Sequence, residues 1–307
     1  MPTPPRTPSH VRDLRLGTMV PGHEATTYIP QILGYGFESF ELTWGWGKDC
    51  RTWDLGRTAA EVKTILSGKS AVVSAIGFYW NPLKTDDDGK IARDSFAQLI
   101  ERAKDFGTEV VCGFTGCLDG TPIPDQLSRF AEVWKPLVEL AAKHQVKIAF
   151  ENCPMGGTWR SPKWNLACNP DCWEVLLTAL GDPAHVGLEW EPCHQMCQLI
   201  EPIPQIRSWG HRFYHIHGKD ANVAWDVVRR HGVQGKEAYC WHRTPGFGDS
   251  DWTLIIGELL RAGFKGAIDI EGWHDPIWKG DMEMTGQVHG LNYLKRCRPI
   301  HVPPINK

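Results

Sequence analysis

Short apolar segments alternate with longer segments of helical period along the whole chain, and few folds accommodate that alternation. The strand-like segments are 15–20, 38–43, 71–79, 109–115, 147–152, 186–194, 212–220 and 266–273. Helix-period segments lie at 57–68, 90–106, 125–144, 170–180, 195–209, 251–262 and 280–297. Start signals precede three of them: Pro124-Asp125, Asn169-Pro170 and Asp249-Ser250-Asp251. No Gly/Ser linker divides the chain, and no glycine-rich first turn announces an open doubly wound sheet. The pattern therefore predicts an α/β protein, a single (β/α)₈ TIM barrel over residues 15–297. Proline-rich residues 1–14 read as a disordered lead-in and 298–307 as a C-terminal tail. The connections 153–169 and 221–250 exceed the usual loop length and read as lids.

Four consecutive strand candidates end in a metal-ligand residue type: Glu151 in KIAFEN, Glu191 in VGLEWEPCH, His217 in RFYHIHGKD and Glu271 in GAIDIEGW. Strand alternation puts 147, 149 and 151 on one face, and likewise 187, 189 and 191, His215 with His217, and Asp269 with Glu271. If the last member of each set points inward, four ligands form a ring at the carboxyl-terminal mouth of the barrel. A lone glutamate at a strand end is most often an ion-pair partner; four in succession point to a divalent ion. Three carboxylates and one imidazole are hard donors, suited first to Mn²⁺, then to Mg²⁺ or Co²⁺, and unlike a structural zinc set. One layer deeper, His215, Glu189 and Asp269 would also face inward and orient the ligands.

The formal charge of −3 gives no electrostatic reason to expect nucleic acid. No apolar run approaches a membrane span, and the proline-bearing N-terminus lacks the apolar stretch of a signal peptide, so a cytoplasmic location is expected. The ten cysteines are scattered; Cys168/Cys172 and Cys193/Cys197 have three residues between them, and no C-x-x-C pair exists. They read as reduced thiols in and around a core, not as a zinc ribbon. Of the fifteen tryptophans most should fill the core, while those after strand ends, Trp44 and Trp159 among them, are candidates to stack on a sugar.

Several segments match a known pattern: Glu151-Asn152, GLEWEPCH (187–194), HGKD (217–220), PGFGDSDW (245–252) and IDIEG (268–272). Over roughly residues 15–297 the chain resembles the sugar phosphate isomerase/epimerase superfamily of xylose isomerase-like TIM barrels, which includes ketose 3-epimerases and inosose dehydratases. The resemblance implies metal ligation by Glu151, Glu191, His217 and Glu271. It puts His194 against substrate or metal-bound water and Arg243 facing the substrate. Glu191 stands where the family usually has Asp, a carboxylate extended by roughly 1.5 Å.

The implied activity is that of a divalent-metal-dependent sugar isomerase or epimerase. It would abstract a proton α to a carbonyl and pass through a metal-stabilised enediolate. Glu151 and Glu271 would exchange protons at the substrate, with His194 or His242 as a metal-free base. Lys219 and Arg243 would offset the charge of three carboxylates, although an ion pair between Lys219 and Asp220 or Glu271 is an equal reading. Loss of a β-substituent from the same enediolate would instead make the chain a lyase or dehydratase acting on a 3-keto-sugar or keto-glycoside. A non-catalytic sugar-binding barrel is the remaining alternative, and association into homo-oligomers stays open.

Overall fold

The computed structural model describes residues 14–45 and 52–299. Strands β1 (Arg15–Pro21), β2 (Ser39–Gly45), β3 (Val72–Tyr79), β4 (Val110–Gly113), β5 (Lys147–Glu151), β6 (Val186–Trp190), β7 (Phe213–Gly218) and β10 (Ala267–Ile270) close into a parallel barrel. Two further strands, β8 (Asp220–Val223) and β9 (Cys240–Arg243), pair antiparallel outside it. Each predicted barrel strand is present, with ends shifted by a few residues. The barrel order β1-β10-β7-β6-β5-β4-β3-β2 sets the four ligand-bearing strands side by side.

The helices are α1 (Ala25–Ile32), α2 (Leu55–Leu66), α3 (Asp87–Arg102), α4 (Leu127–His144), α5 (Pro170–Leu180), α6 (Pro192–Met196), α7 (Pro202–Trp209), α8 (Trp225–His231), α9 (Trp252–Arg261) and α10 (Glu283–Cys297). Helix α4 shows why they dock as they do. Phe130, Val133, Trp134, Leu137, Val138 and Ala141 recur at helical spacing and are its buried residues. Trp134 packs edge-on against Phe150 of β5, with ring centroids 4.6 Å apart, and donates its indole N–H to the Thr115 carbonyl at 2.8 Å. Such contacts lock a helix to its strand.

Two expected helix starts hold as side-chain caps: Asn169 accepts from the Cys172 N–H and Asp251 from the Leu254 N–H. Pro124-Asp125 instead lies in a 3₁₀ turn, Ile123–Gln126, ahead of α4. Helix α1 was not predicted; its eight residues, with Pro30 inside, are too few for a periodic signal. The segment expected as one helix over 195–209 splits into α6 and α7. The 221–250 connection carries most of β8 as well as α8 and β9, so it is a built hairpin and not a featureless lid.

The lead-in reading lies outside the described residues except for Leu14, which is buried. Arg298, assigned to the tail, pairs with Glu38 and donates to the Leu14 carbonyl at 2.8 Å.

The barrel interior departs from the usual fill of branched aliphatics. Small groups, Ala75, Cys112 and Ala149, make one apolar patch, and the remaining space goes to charged side chains. Gly17 of β1 pairs with Asp269 and leaves room for it: a β-carbon at position 17 would fall 2.2 Å from Asp269 Oδ1 and 2.0 Å from the Ser39 carbonyl oxygen.

Candidate metal centre and cavity

Glu151 ends β5, Glu191 follows β6 directly, His217 lies near the end of β7 and Glu271 follows β10. Alternation along each strand turns all four inward at the same level. Around His217 Nδ1, Glu151 Oε1 lies at 3.3 Å, Glu191 Oε2 at 3.4 Å and Glu271 Oε2 at 3.3 Å. One donor atom from each of the four residues falls within 4.8 Å of every other, and all four residues are buried.

Backbone clamps hold the ring in place. The Asn152 carboxamide accepts from the Glu191 N–H at 2.6 Å and donates to the Glu191 carbonyl at 2.9 Å. Asn165 donates to the carbonyls of Glu151 and Cys153, both at 2.8 Å. Asp220 accepts from the Trp252 indole N–H at 3.0 Å and from the Ser250 N–H at 3.2 Å, which ties the start of β8 to the start of α9.

Beneath the ring lies a hydrogen-bonded network. His217 Nε2 is 2.9 Å from Glu41 Oε2, and the Tyr79 hydroxyl is 2.6 Å from Glu41 and 2.7 Å from Glu189. His215 bridges Glu189 at 2.8 Å and Asp269 at 2.9 Å. Asp269 accepts in turn from the hydroxyls of Ser39 and Ser74. Glu41, Glu189, His215 and His217 could also surround an ion. Their polar atoms, however, already satisfy one another.

The ring above is not satisfied in this way. Glu191 Oε1 and Glu271 Oε2 are buried without a hydrogen-bond partner, which is costly for a carboxylate. Across both layers six buried carboxylates (Glu41, Glu151, Glu189, Glu191, Asp269, Glu271) face three buried groups that gain positive charge (His215, His217, Lys219), while buried His194 beside Glu191 stays neutral. With all but His194 ionised the difference is −3, and a divalent ion would remove most of it. The donor set and the orphaned oxygens both fit such an ion.

Local charge divides the carboxylates. Burial raises Glu151 to about 7 against the opposing pull of His217. Burial also pushes Glu191 well above the usual carboxylate range. Burial opposes ionisation of Glu271 too, but Lys219 and His217 overcome it and hold Glu271 well below that range. The Lys219 ammonium donates to Glu271 Oε1 at 2.7 Å and lies 3.5 Å from Glu191 Oε1.

A cavity of about 1240 Å³ opens above the ring. Glu151, His217 and Glu271 line it together with Tyr79 and Phe114 from the barrel and Trp159 from the 153–169 connection.

A model of the xylose isomerase-like TIM barrel family matches residues 30–297. The chain belongs to that family. Among curated proteins it is 26% identical over 161 residues to the inosose dehydratase of Lactiplantibacillus plantarum, a match covering 52% of this chain and 50% of that protein. The chain spans about half the length of the curated relatives it matches. Among solved structures it resembles an L-ribulose 3-epimerase, with a TM-score of 0.65 and 17% identity over 92% of this chain and 96% of that one. It also resembles 3-keto-D-glucoside 4-epimerase from E. coli, with a TM-score of 0.67 and 14% identity over 92% and 100%.

In this xylose isomerase-like barrel the sequence-predicted site residues take distinct places. His194 on α6 is buried with Nε2 3.2 Å from Glu191 Oε1, and burial, Lys219 and His242 hold its pKa well below the usual histidine value. His242 on β9 meets His194 edge-on at 5.2 Å between ring centroids, and lines the cavity. Lys219 lines it too, but spends its charge on Glu271 and not on Asp220.

Two others are not brought to the cavity. Arg243 is drawn off by its neighbours: it donates to Asn222 Oδ1 at 2.7 Å, pairs with Asp275 at 3.3 Å and is not a lining residue. Trp44 is buried between Trp53 and Phe106 in the core outside the barrel wall. Trp241 and Trp273 line the cavity instead, beside Trp159. Glu41, Tyr79, Ser39 and Ser74 were not singled out from sequence. A charged residue in the middle of an apolar strand segment was the available signal for Glu41.

Among the described residues no helix is long and apolar enough to cross a membrane.

Proposed function

We propose that the chain is a divalent-metal-dependent sugar isomerase or epimerase that removes a proton α to a carbonyl. One observation carries this reading: three carboxylates and an imidazole nitrogen converge at the floor of a large cavity, and two of the carboxylate oxygens are buried without a hydrogen-bond partner. Glu151, Glu191, His217 and Glu271 would hold the ion, with Mn²⁺ first on donor chemistry and Mg²⁺ or Co²⁺ as substitutes. When bound, it supplies Lewis-acid stabilisation of the negative charge that develops on substrate oxygens.

The chain's own groups handle the proton. Glu271, kept ionised by Lys219, can take one from a carbon in the cavity, and Glu151, near neutrality in its own titration, can return one. His194, kept neutral by burial, is a base that needs no prior deprotonation. The indoles of Trp159, Trp241 and Trp273 offer flat apolar faces to sugar C–H groups. The family and the epimerases of the same fold support the reading. Nine free thiols among the described residues agree with a reducing cytoplasm.

A second reading, β-elimination from a 3-keto-sugar or keto-glycoside, is favoured by cavity size. At about 1240 Å³ it exceeds the roughly 300–1,000 Å³ usual for small-molecule sites. The inosose dehydratase relative supports this reading. A sugar-binding barrel without chemistry sits poorly with an intact ring of ligands.

The test is NMR of the Mn²⁺-activated protein, quenched and freed of Mn²⁺ before acquisition, against ketoses and 3-keto-glycosides in D₂O. Deuterium entering an α-carbon with connectivity kept supports epimerisation. Release of the aglycone replaces that reading with elimination, and no turnover with either class removes both.

A further inference from the structure

The wall formed by α6 and β9 carries a second cluster of ligand residues, of opposite chemical character. Cys193, Cys197 and His242 place one donor atom each within 4.8 Å of one another. Cys193 and Cys197 are one helical turn apart, on α6 and at its C-cap, so both thiols lie on one side. Cys240 and His242 alternate on β9 and share a face. Cys240 thereby stands beside this three-donor cluster, two residues from His242 on the same strand. Two sulfurs and an imidazole thus meet across two elements distant in sequence, with a third thiol, that of Cys240, adjacent on β9. His242 Nδ1 is buried without a hydrogen-bond partner, so one ring nitrogen is left unsatisfied. The proton chemistry proposed above uses none of the three thiols.

We propose that Cys193, Cys197 and His242, with Cys240 turning in as the fourth ligand, form a second metal site, for a thiophilic divalent ion such as zinc. Three thiolates and one imidazole are a closed tetrahedral set of the structural type. Soft sulfur donors select a different ion from the oxygen-rich ring at the barrel mouth. The ion would clip the β8–β9 hairpin onto α6, the element that starts one residue after Glu191 and carries His194. It would thereby fix one wall of the cavity without entering the reaction. The C-x-x-x-C spacing plus a C-x-H strand hides such a site from a search for C-x-x-C pairs.

Cobalt titration of the reduced wild-type chain tests it. Thiolate-to-cobalt charge-transfer absorption should saturate at one equivalent and vanish on adding zinc. The band should persist in Glu151→Gln/Glu271→Gln, which separates this site from the ring, and disappear in Cys197→Ser. In wild-type protein, where no variant can misfold, zinc should slow iodoacetamide alkylation of Cys193, Cys197 and Cys240 about tenfold or more, read by peptide mass. Absence of the thiolate band, or equal alkylation with and without zinc, overturns the proposal. So does a Cys197–Cys240 disulfide in protein isolated anaerobically.

Discussion

The side chain of Asn152 grips both backbone polar groups of Glu191, accepting at 2.6 Å and donating at 2.9 Å. Neighbouring strands β5 and β6 are thereby pinned at the point where each delivers a carboxylate to the ring. Asn152→Ala strands a buried N–H and a buried C=O, at about 1–3 kcal/mol for each group. The expected result is a lowered denaturation midpoint together with weaker Mn²⁺ binding by calorimetry. A stability loss with unchanged ion affinity would confine Asn152 to the scaffold.

Replacing Glu151 or Glu271 by Gln keeps shape and removes charge. Each change should lower turnover by about 10²–10⁴-fold and weaken ion binding, as should exhaustive chelation of the wild type. The check is turnover on the substrate found by NMR alongside metal content. Full activity after either treatment would eliminate the metal mechanism.

Lys219 is 1% exposed and lies against Glu271 and Glu191. Lys219→Met leaves two buried carboxylates without their cation, which should destabilise the metal-free protein by about 3–5 kcal/mol. Saturating Mn²⁺ should recover part of that loss, because the ion supplies the missing positive charge. Equal destabilisation with and without Mn²⁺ would contradict this account.

Burial alone would lower the pKa of His215, but Glu41, Asp269 and Glu189 raise it to about 10. A raised histidine binds its proton more tightly in the folded chain, so its contribution is complete below about pH 6.5. Above that it declines, and it is lost as pH passes about 10. Thermal melting of the metal-free wild type and of His215→Gln should show a stability gap that narrows across this window. A gap constant with pH would mean the ring serves by packing and not by charge.

The barrel and the convergence of four inward side chains were legible because both depend on period. Apolar segments spaced by helices give eight strands, and alternation within them orients Glu151, Glu191, His217 and Glu271. Glu41 escaped for a physical reason: it faces inward from the middle of β2, two residues beyond Ser39, and not from a strand's carboxyl end, where ligands gather. Trp44 shows alternation neglected, since Glu41 on the inner face puts residue 44 on the outer one. Arg243 shows the limit of motif matching. Its direction is decided by Asn222 and Asp275, which meet it only after the β8–β9 hairpin folds.

His217 faces two ways, with Nδ1 among the mouth carboxylates and Nε2 on Glu41 below. Burial alone would neutralise the ring, yet Glu189 and Glu41 outweigh burial and raise its pKa far above the ordinary value. An incoming ion can take Nδ1 only if the proton there departs. Ion and proton are therefore rival tenants of one nitrogen. Each loading event should acidify its surroundings, and occupancy would follow ambient pH as well as the supply of metal.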